Sequence, residues 1–183
     1  NVGAMRNRGV EINVSADVLR IKDFTWNVNA NVSYNKNEIT ELYNGITEYV
    51  ASDTGRMVAV GHPLGEFYLN RYAGVNPTNG DALWYTKDGE ITTEYNESDK
   101  VMLGKTHEAA WQGGFGTTLS WQGFSLSAQF TWVADRWMLN NDRVFQESNG
   151  LFSAYNQSKR MLYDRWKKPG DVTDIPRYGV TPQ

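Results

Sequence analysis

The sequence predicts an all-β chain: an antiparallel segment of a large transmembrane β-barrel with long extracellular loops and one short loop helix. Three observations predict it. Apolar and polar side chains alternate with period two over long uninterrupted runs. The alternating runs are joined in pairs by very short turns, while the connections outside each pair are long. Aromatic residues make up 13% of the chain and glycines number 17, yet the mean hydropathy is -0.58, a balance that suits strands with one polar face better than helices.

The first hairpin is expected over residues 8–34. Val10, Ile12, Val14, Ala16 and Val18 alternate with Glu11, Asn13, Ser15 and Asp17. Phe24, Trp26, Val28, Ala30, Val32 and Tyr34 then alternate with Thr25, Asn27, Asn29, Asn31 and Ser33. Folding back around Lys22 pairs Val18 with Trp26, Val14 with Ala30 and Val10 with Tyr34, which gathers the apolar residues on one face.

A second hairpin is expected over 115–132. Phe115, Thr117, Leu119 and Trp121 run down to Gln122-Gly123, and Phe124, Leu126, Ala128, Phe130 and Trp132 return. The apolar positions switch from odd to even across this two-residue turn, which keeps them on one face and sets Trp121 against Phe124 and Phe115 against Phe130.

A soluble, carbohydrate-binding β-sandwich would show the same alternation. Three features favour lipid. The run from Phe24 to Tyr34 matches the roughly 9–11 residues that cross a bilayer at a tilt. Rings stand near the strand ends with smaller side chains between them, and the eight steps from Trp26 to Tyr34 project to roughly 19 Å, near the spacing of two interfacial girdles. Short turns at one end and long connections at the other fit periplasmic turns and extracellular loops.

The long loop region, 35–114, carries Asn44-Gly45, Asn79-Gly80 and Asp88-Gly89, each suited to a tight turn, with short strands expected around 65–72 and 82–86. In the extracellular loop over 133–183, Leu151, Phe152, Tyr155, Leu162, Tyr163 and Trp166 fit one side of a helix over 151–166, which Pro169-Gly170 would end. No signal peptide opens the chain at Asn1-Val2-Gly3-Ala4, so a mature or internal segment is expected.

A net charge of -3 with interspersed signs offers no basic field for nucleic acid. Cysteine is absent, which removes disulfides and thiolate chemistry. His62 and His107 lie outside metal-ligand or triad spacing, and Glu90, Glu94, Glu97 and Asp99 read as a solvated loop. No catalytic, cofactor or metal constellation is expected. Trp84, Tyr85, Trp137 and Trp166 are the candidate ligand or partner contacts, because an indole or phenol offers an apolar face and a polar edge for a sugar or peptide.

Several stretches together resemble the SusC/RagA family of TonB-dependent outer-membrane transporters of Bacteroidetes. They are Met5-Arg6-Asn7-Arg8-Gly9-Val10-Glu11, Phe24-Thr25-Trp26 leading into Ser33-Tyr34-Asn35-Lys36-Asn37, and Gly61-His62-Pro63-Leu64-Gly65-Glu66-Phe67-Tyr68. The series continues with Ala73-Gly74-Val75-Asn76-Pro77, Gly80-Asp81-Ala82-Leu83-Trp84-Tyr85, Gly113-Gly114-Phe115, Gly123-Phe124-Ser125-Leu126-Ser127, and the run from Arg165 through Pro169-Gly170-Asp171 to Arg177.

The resemblance implies a barrel of about 22 strands closed by an N-terminal plug. It also implies a SusD-like surface lipoprotein as partner, TonB acting through a part that this chain lacks, and a glycan or peptide nutrient as cargo. Outer-membrane lipid would surround the wall. Only a late internal part of such a transporter is matched. Where some relatives carry an Asp-x-Asn-x-Asp-Gly loop, this chain has Trp84-Tyr85-Thr86-Lys87-Asp88-Gly89, which argues against calcium.

Overall fold

The computed structural model describes residues 3–51, 55–152 and 154–179. The opening Asn1-Val2, Ser153 of the expected helix and the end of the 133–183 segment lie outside the described residues. The chain divides into two compact units, one formed by Asn1–Phe67 with Gly104–Met138 and the other by Tyr68–Leu103 with Leu139–Gln183.

In the first unit, β1 (Gly3–Ile21), β2 (Phe24–Leu42), β10 (Trp111–Trp121) and β11 (Phe124–Ala134) form one antiparallel sheet in the order β1-β2-β10-β11. Both hairpins turn within two residues, with φ positive at Lys22 in the first and at Gln122 and Gly123 in the second. The two hairpins pair through β2 and β10, where Tyr34 faces Trp111, Ala30 faces Phe115 and Phe24 faces Trp121.

Most of the expected pairings are present: Val14 opposite Ala30, Val10 opposite Tyr34, Trp121 opposite Phe124 and Phe115 opposite Phe130. One is corrected. Trp26 stands opposite Leu19, and the register shifts between Asp17 and Leu19, leaving Val18 as the extra residue of a bulge. The cause is parity: a two-residue turn pairs odd with even positions, whereas the apolar residues of both β1 and β2 are even. One unpaired residue restores the match.

Strands β1 and β2 also run well past the alternating stretch, β2 continuing beyond Tyr34 to Leu42. Cross-strand polar pairs carry this extension, with Arg6 on Glu38 at 3.3 Å and the Asn37 amide donating to Asn7 Oδ1 at 2.9 Å. Its far end is capped by a small core of Ile39, Leu42 and Val58, against which Ala51 packs.

The region between the hairpins contains β3 (Glu48–Ala51), β4 (Arg56–Ala59), β5 (Glu66–Leu69), β6 (Arg71–Val75), β7 (Ala82–Tyr85), β8 (Ile91–Thr92) and β9 (Val101–Thr106). They form two sheets, ordered β3-β4-β5-β9 and β6-β7-β8. Of the single helix expected over 151–166, only α2 (Lys159–Tyr163) forms, and a separate short helix, α1 (Asn141–Gln146), lies before that span. Asn149 and Gly150 both take positive φ and break the chain between them, while Asn140 and Ser158 accept hydrogen bonds from the backbone at the start of each helix.

Candidate functional site

The four-stranded sheet presents one continuous apolar face. Val10, Ile12 and Val14 of β1 register with Tyr34, Val32 and Ala30 of β2, which continue to Trp111, Gly113 and Phe115 of β10 and on to Trp132 and Phe130 of β11. Val10 is 62% exposed, Val14 60%, Leu126 68% and Phe124 78%. A sandwich would cover this face with a second sheet; among the described residues nothing covers it, and its aliphatic side chains stand open.

Rings mark the two ends of the face. At the turn end stand Phe24, Trp26, Trp121 and Phe124, with Trp26 Nε1–H donating to Thr117 Oγ1 at 2.8 Å. At the other end are Tyr34 and Trp111, their ring centroids 4.6 Å apart, and Trp132, registered with Gly113. Between the levels lie Val28, Ala30, Thr117, Ala128 and the stacked pair Phe115 and Phe130, 4.9 Å apart. An amphipathic ring serves at an interface between oil and water, and two such levels bounding an aliphatic band form the profile of a barrel wall.

The opposite face is polar. Asn27, Asn29 and Asn31 register with Thr118, Gly116 and Gly114. Gly116 has no side chain because Gln129 and Asn29 fill its place; a Cβ there would meet their amide ends. Thr118 and Ser127 share a hydroxyl hydrogen bond of 3.0 Å, and Ser120 and Ser125 one of 2.9 Å.

The second unit encloses a cleft of about 370 Å³. Tyr72 of β6 and Trp84 of β7 line it together with α1, the turn at Leu151-Phe152, Met161 of α2 and the segment Asp174-Ile175-Pro176. The Tyr72 hydroxyl donates to the Asp174 carbonyl at 3.1 Å, and burial, aided by the Asp174 charge, pushes its pKa up to about 12. Glu147, only 12% exposed, is held by Arg143 at 2.6 Å and Arg160 at 2.9 Å, and Arg160 reaches on to Asp174 at 2.9 Å. Burial pushes the Glu147 carboxyl up, but its hydrogen bond to Arg143 and the charges of Arg143 and Arg160 outweigh that and leave it below the ordinary range.

Of the four candidate aromatics, only Trp84 lines this cleft. Its ring meets Tyr72 and Tyr95 edge-on at 5.3 and 5.1 Å, and its indole N–H is buried without a hydrogen-bond partner. Tyr85 lies under the Arg71 guanidinium at 5.4 Å. Trp166 closes over Gly80 and donates to the Pro77 carbonyl at 3.1 Å. Trp137, in the first unit, lies under the Lys105 ammonium at 4.2 Å.

Residues that periodicity does not single out are as well placed. The Glu66 carboxylate, 2% exposed as a residue, accepts from the Gly104 N–H at 2.6 Å and meets His62 Nδ1 at 2.9 Å. The Arg143 and Glu147 pair has helical spacing that a helix placed at α1 would have revealed, whereas the approach of Asp174 to Arg160 leaves no local signal. In the acidic stretch, Glu97 pairs with Lys100 at 2.8 Å and Asp99 accepts from the Lys87 N–H at 3.0 Å. Among the described residues no cluster of three or more His, Asp or Glu is arranged to hold a metal.

No protein-family model matches the chain. A TonB-dependent receptor of Formosa agariphila is 27% identical over 163 residues, covering 88% of this chain and 14% of the relative. The TonB-dependent receptor SusC of Bacteroides thetaiotaomicron is 31% identical over 94 residues, covering 45% of the chain and 9% of its own length. Among solved structures, the RagAB peptide transporter superposes on all of the chain with a TM-score of 0.92 at 34% identity, over 21% of that protein. The RagAB peptide importer in its 'open-open' state gives 0.89 at 35% identity over 20%. The chain thus spans a small part of the length of each relative.

Proposed function

We propose that this chain, which belongs to the SusC/RagA-type TonB-dependent receptors, forms barrel wall and outward-facing loops of a nutrient importer in the outer membrane of a Gram-negative bacterium. The observation that carries the reading is the exposed aliphatic band bounded by two levels of rings. In water such a face would be covered or would aggregate; against acyl chains it is satisfied. Asn27, Asn29, Asn31 and Ser33 then face the hydrated interior.

The cargo is an oligopeptide or a glycan, delivered with a SusD-like surface lipoprotein and drawn inward by TonB acting through a part of the receptor outside this chain. The RagAB matches favour a peptide. Of the candidate contacts Trp84, Tyr85, Trp137 and Trp166, Trp84 is first in rank, because it alone joins a cleft to an unspent hydrogen-bond donor.

The test is a pair of arginine substitutions in the receptor that carries the chain. A cation at mid-depth on the lipid side costs about 2–4 kcal/mol. Val28→Arg and Ala128→Arg should therefore deplete folded receptor from the outer membrane, while Asn29→Arg, one position away on the other face, should assemble. Equal assembly of all three variants would refute the wall.

A further inference from the structure

Beyond the upper rings, the lipid side of the wall turns from apolar to cationic. Strands β1 and β2 pair without a register shift between Met5 and Asp17, so the positions that alternate with Val10 and Tyr34 keep their face. On that face Arg8 follows Val10, Lys36 follows Tyr34, and Arg8 stands directly opposite Lys36. The next pair, Arg6 opposite Glu38, neutralises itself through a 3.3 Å ion pair. Arg8 and Lys36 have no acidic partner among the described residues, and like charges facing each other across a sheet repel. An anion between them would relieve that repulsion.

What lies beneath points to the kind of anion. Directly below the two cations come Val10 under Arg8 and Tyr34 under Lys36, and the Tyr34 ring meets that of Trp111 on the next strand. Lower still, on the same face, an open groove of about 480 Å³ runs among Val14, Trp26, Val28, Ala30, Phe115 and Phe130, its surface almost wholly apolar. The six steps from Lys36 down to Ala30 cover about 20 Å along the strand, which at the barrel tilt is about 14 Å of depth, close to the hydrocarbon half-thickness of a bilayer. A free phosphate would use the cations and leave the groove empty; an amphiphile would use both.

We propose that Arg8 and Lys36 bind the phosphate of an outer-leaflet glycolipid of the lipid A class, with an acyl chain lying in the Val14–Ala30–Phe115 groove. The assignment rests on the barrel-wall reading. The cation pair lies at the end of β1 and β2 remote from their short turn, the end that faces outward in that reading, where the leaflet is glycolipid. Guanidinium and ammonium groups on one phosphate supply charge-assisted hydrogen bonds, which are strong where lipid excludes water.

The experiment uses the receptor carrying this chain, extracted from outer membranes in mild detergent, with retained lipid measured by mass spectrometry. Three purified probes are then added back: lipid A, the same lipid A after phosphatase treatment, and phosphatidylglycerol. Wild type should retain lipid A at least about tenfold more than the Arg8→Ser, Lys36→Ser double variant, the change expected for losing charge-assisted contacts. Arg8→Lys should keep most of the retention.

Phosphatase-treated lipid A should bind wild type no better than the double variant binds intact lipid A. If the double variant fails to assemble, the comparison of intact and treated lipid A on wild type still decides. Equal retention by wild type and double variant, or equal binding of phosphatidylglycerol and lipid A, would overturn the site. If instead Val28→Arg assembles normally, the wall reading itself fails, which separates the two failures.

Discussion

Leu19 stands opposite Trp26 because Val18 is looped out of the ladder, and this one unpaired residue keeps the apolar faces of β1 and β2 in line. Deleting Val18 should therefore be tolerated: Leu19 stays opposite Trp26 and Asp17 opposite Asn27, and the ladder merely becomes regular. Deleting Val28 should abolish assembly, because it shifts β2 against both β1 and β10 and turns part of the aliphatic band inward. Comparing the heat-modifiable folded fraction of the two deletions in outer-membrane preparations checks this, and comparable loss in both would show that the bulge has no role in register.

The bulge also shows how far the sequence could be read. Alternation located both hairpins and most of their pairs because each side chain there chooses between two faces of opposite polarity. Past Tyr34 that contrast vanishes: Asn35, Lys36, Asn37 and Glu38 are all polar, so β2 continues to Leu42 without a periodic signal. The cleft was less legible still. Tyr72, Trp84, Glu147 and Asp174 meet through turns and long-range hydrogen bonds, and of the apolar pattern that fits one helix over 151–166 only Lys159–Tyr163, capped by Ser158, is helical.

Two glycines on opposite faces of β10 should respond differently to alanine. A Cβ on Gly113 would collide with the Asn31 carbonyl of the backbone and with the Trp132 ring, neither of which can move without disturbing the ladder. Gly113→Ala should cost about 1–3 kcal/mol. At Gly116 the obstacles are the amide ends of Gln129 and Asn29, which can swing away, so Gly116→Ala should cost under about 1 kcal/mol. Thermal unfolding in detergent micelles, followed by the far-ultraviolet β signal, ranks the two; the reverse order would contradict the packing.

The Glu147 network predicts an acid-sensitive second unit. Its folded pKa lies below the ordinary 4.5, so its stabilising contribution is complete above about that pH and is lost as pH falls through the lower folded value. Hydrogen exchange across α1 and α2 should accelerate over that window in wild type. In Glu147→Gln, exchange should already be faster at neutral pH, reflecting about 1–2 kcal/mol, and should depend less steeply on acid. An unchanged acid profile in the variant would assign the transition to other carboxylates.

Tyr72 gives the opposite limit of pH. Its phenol is raised to about 12 by burial and then by the Asp174 charge, while the unfolded value is near 10. The stabilisation is therefore present below about 10 and lost as pH rises toward 12. In a phenolate absorbance titration of the folded protein, one of the ten tyrosines should ionise late, and Tyr72→Phe should remove that step. The same substitution deletes the hydrogen bond to the Asp174 carbonyl and should cost no more than about 1.5 kcal/mol, because the ring still packs edge-on against Trp84. If the late step survives in Tyr72→Phe, the Tyr72 hydroxyl is open to solvent and the cleft is wider than its lining residues define.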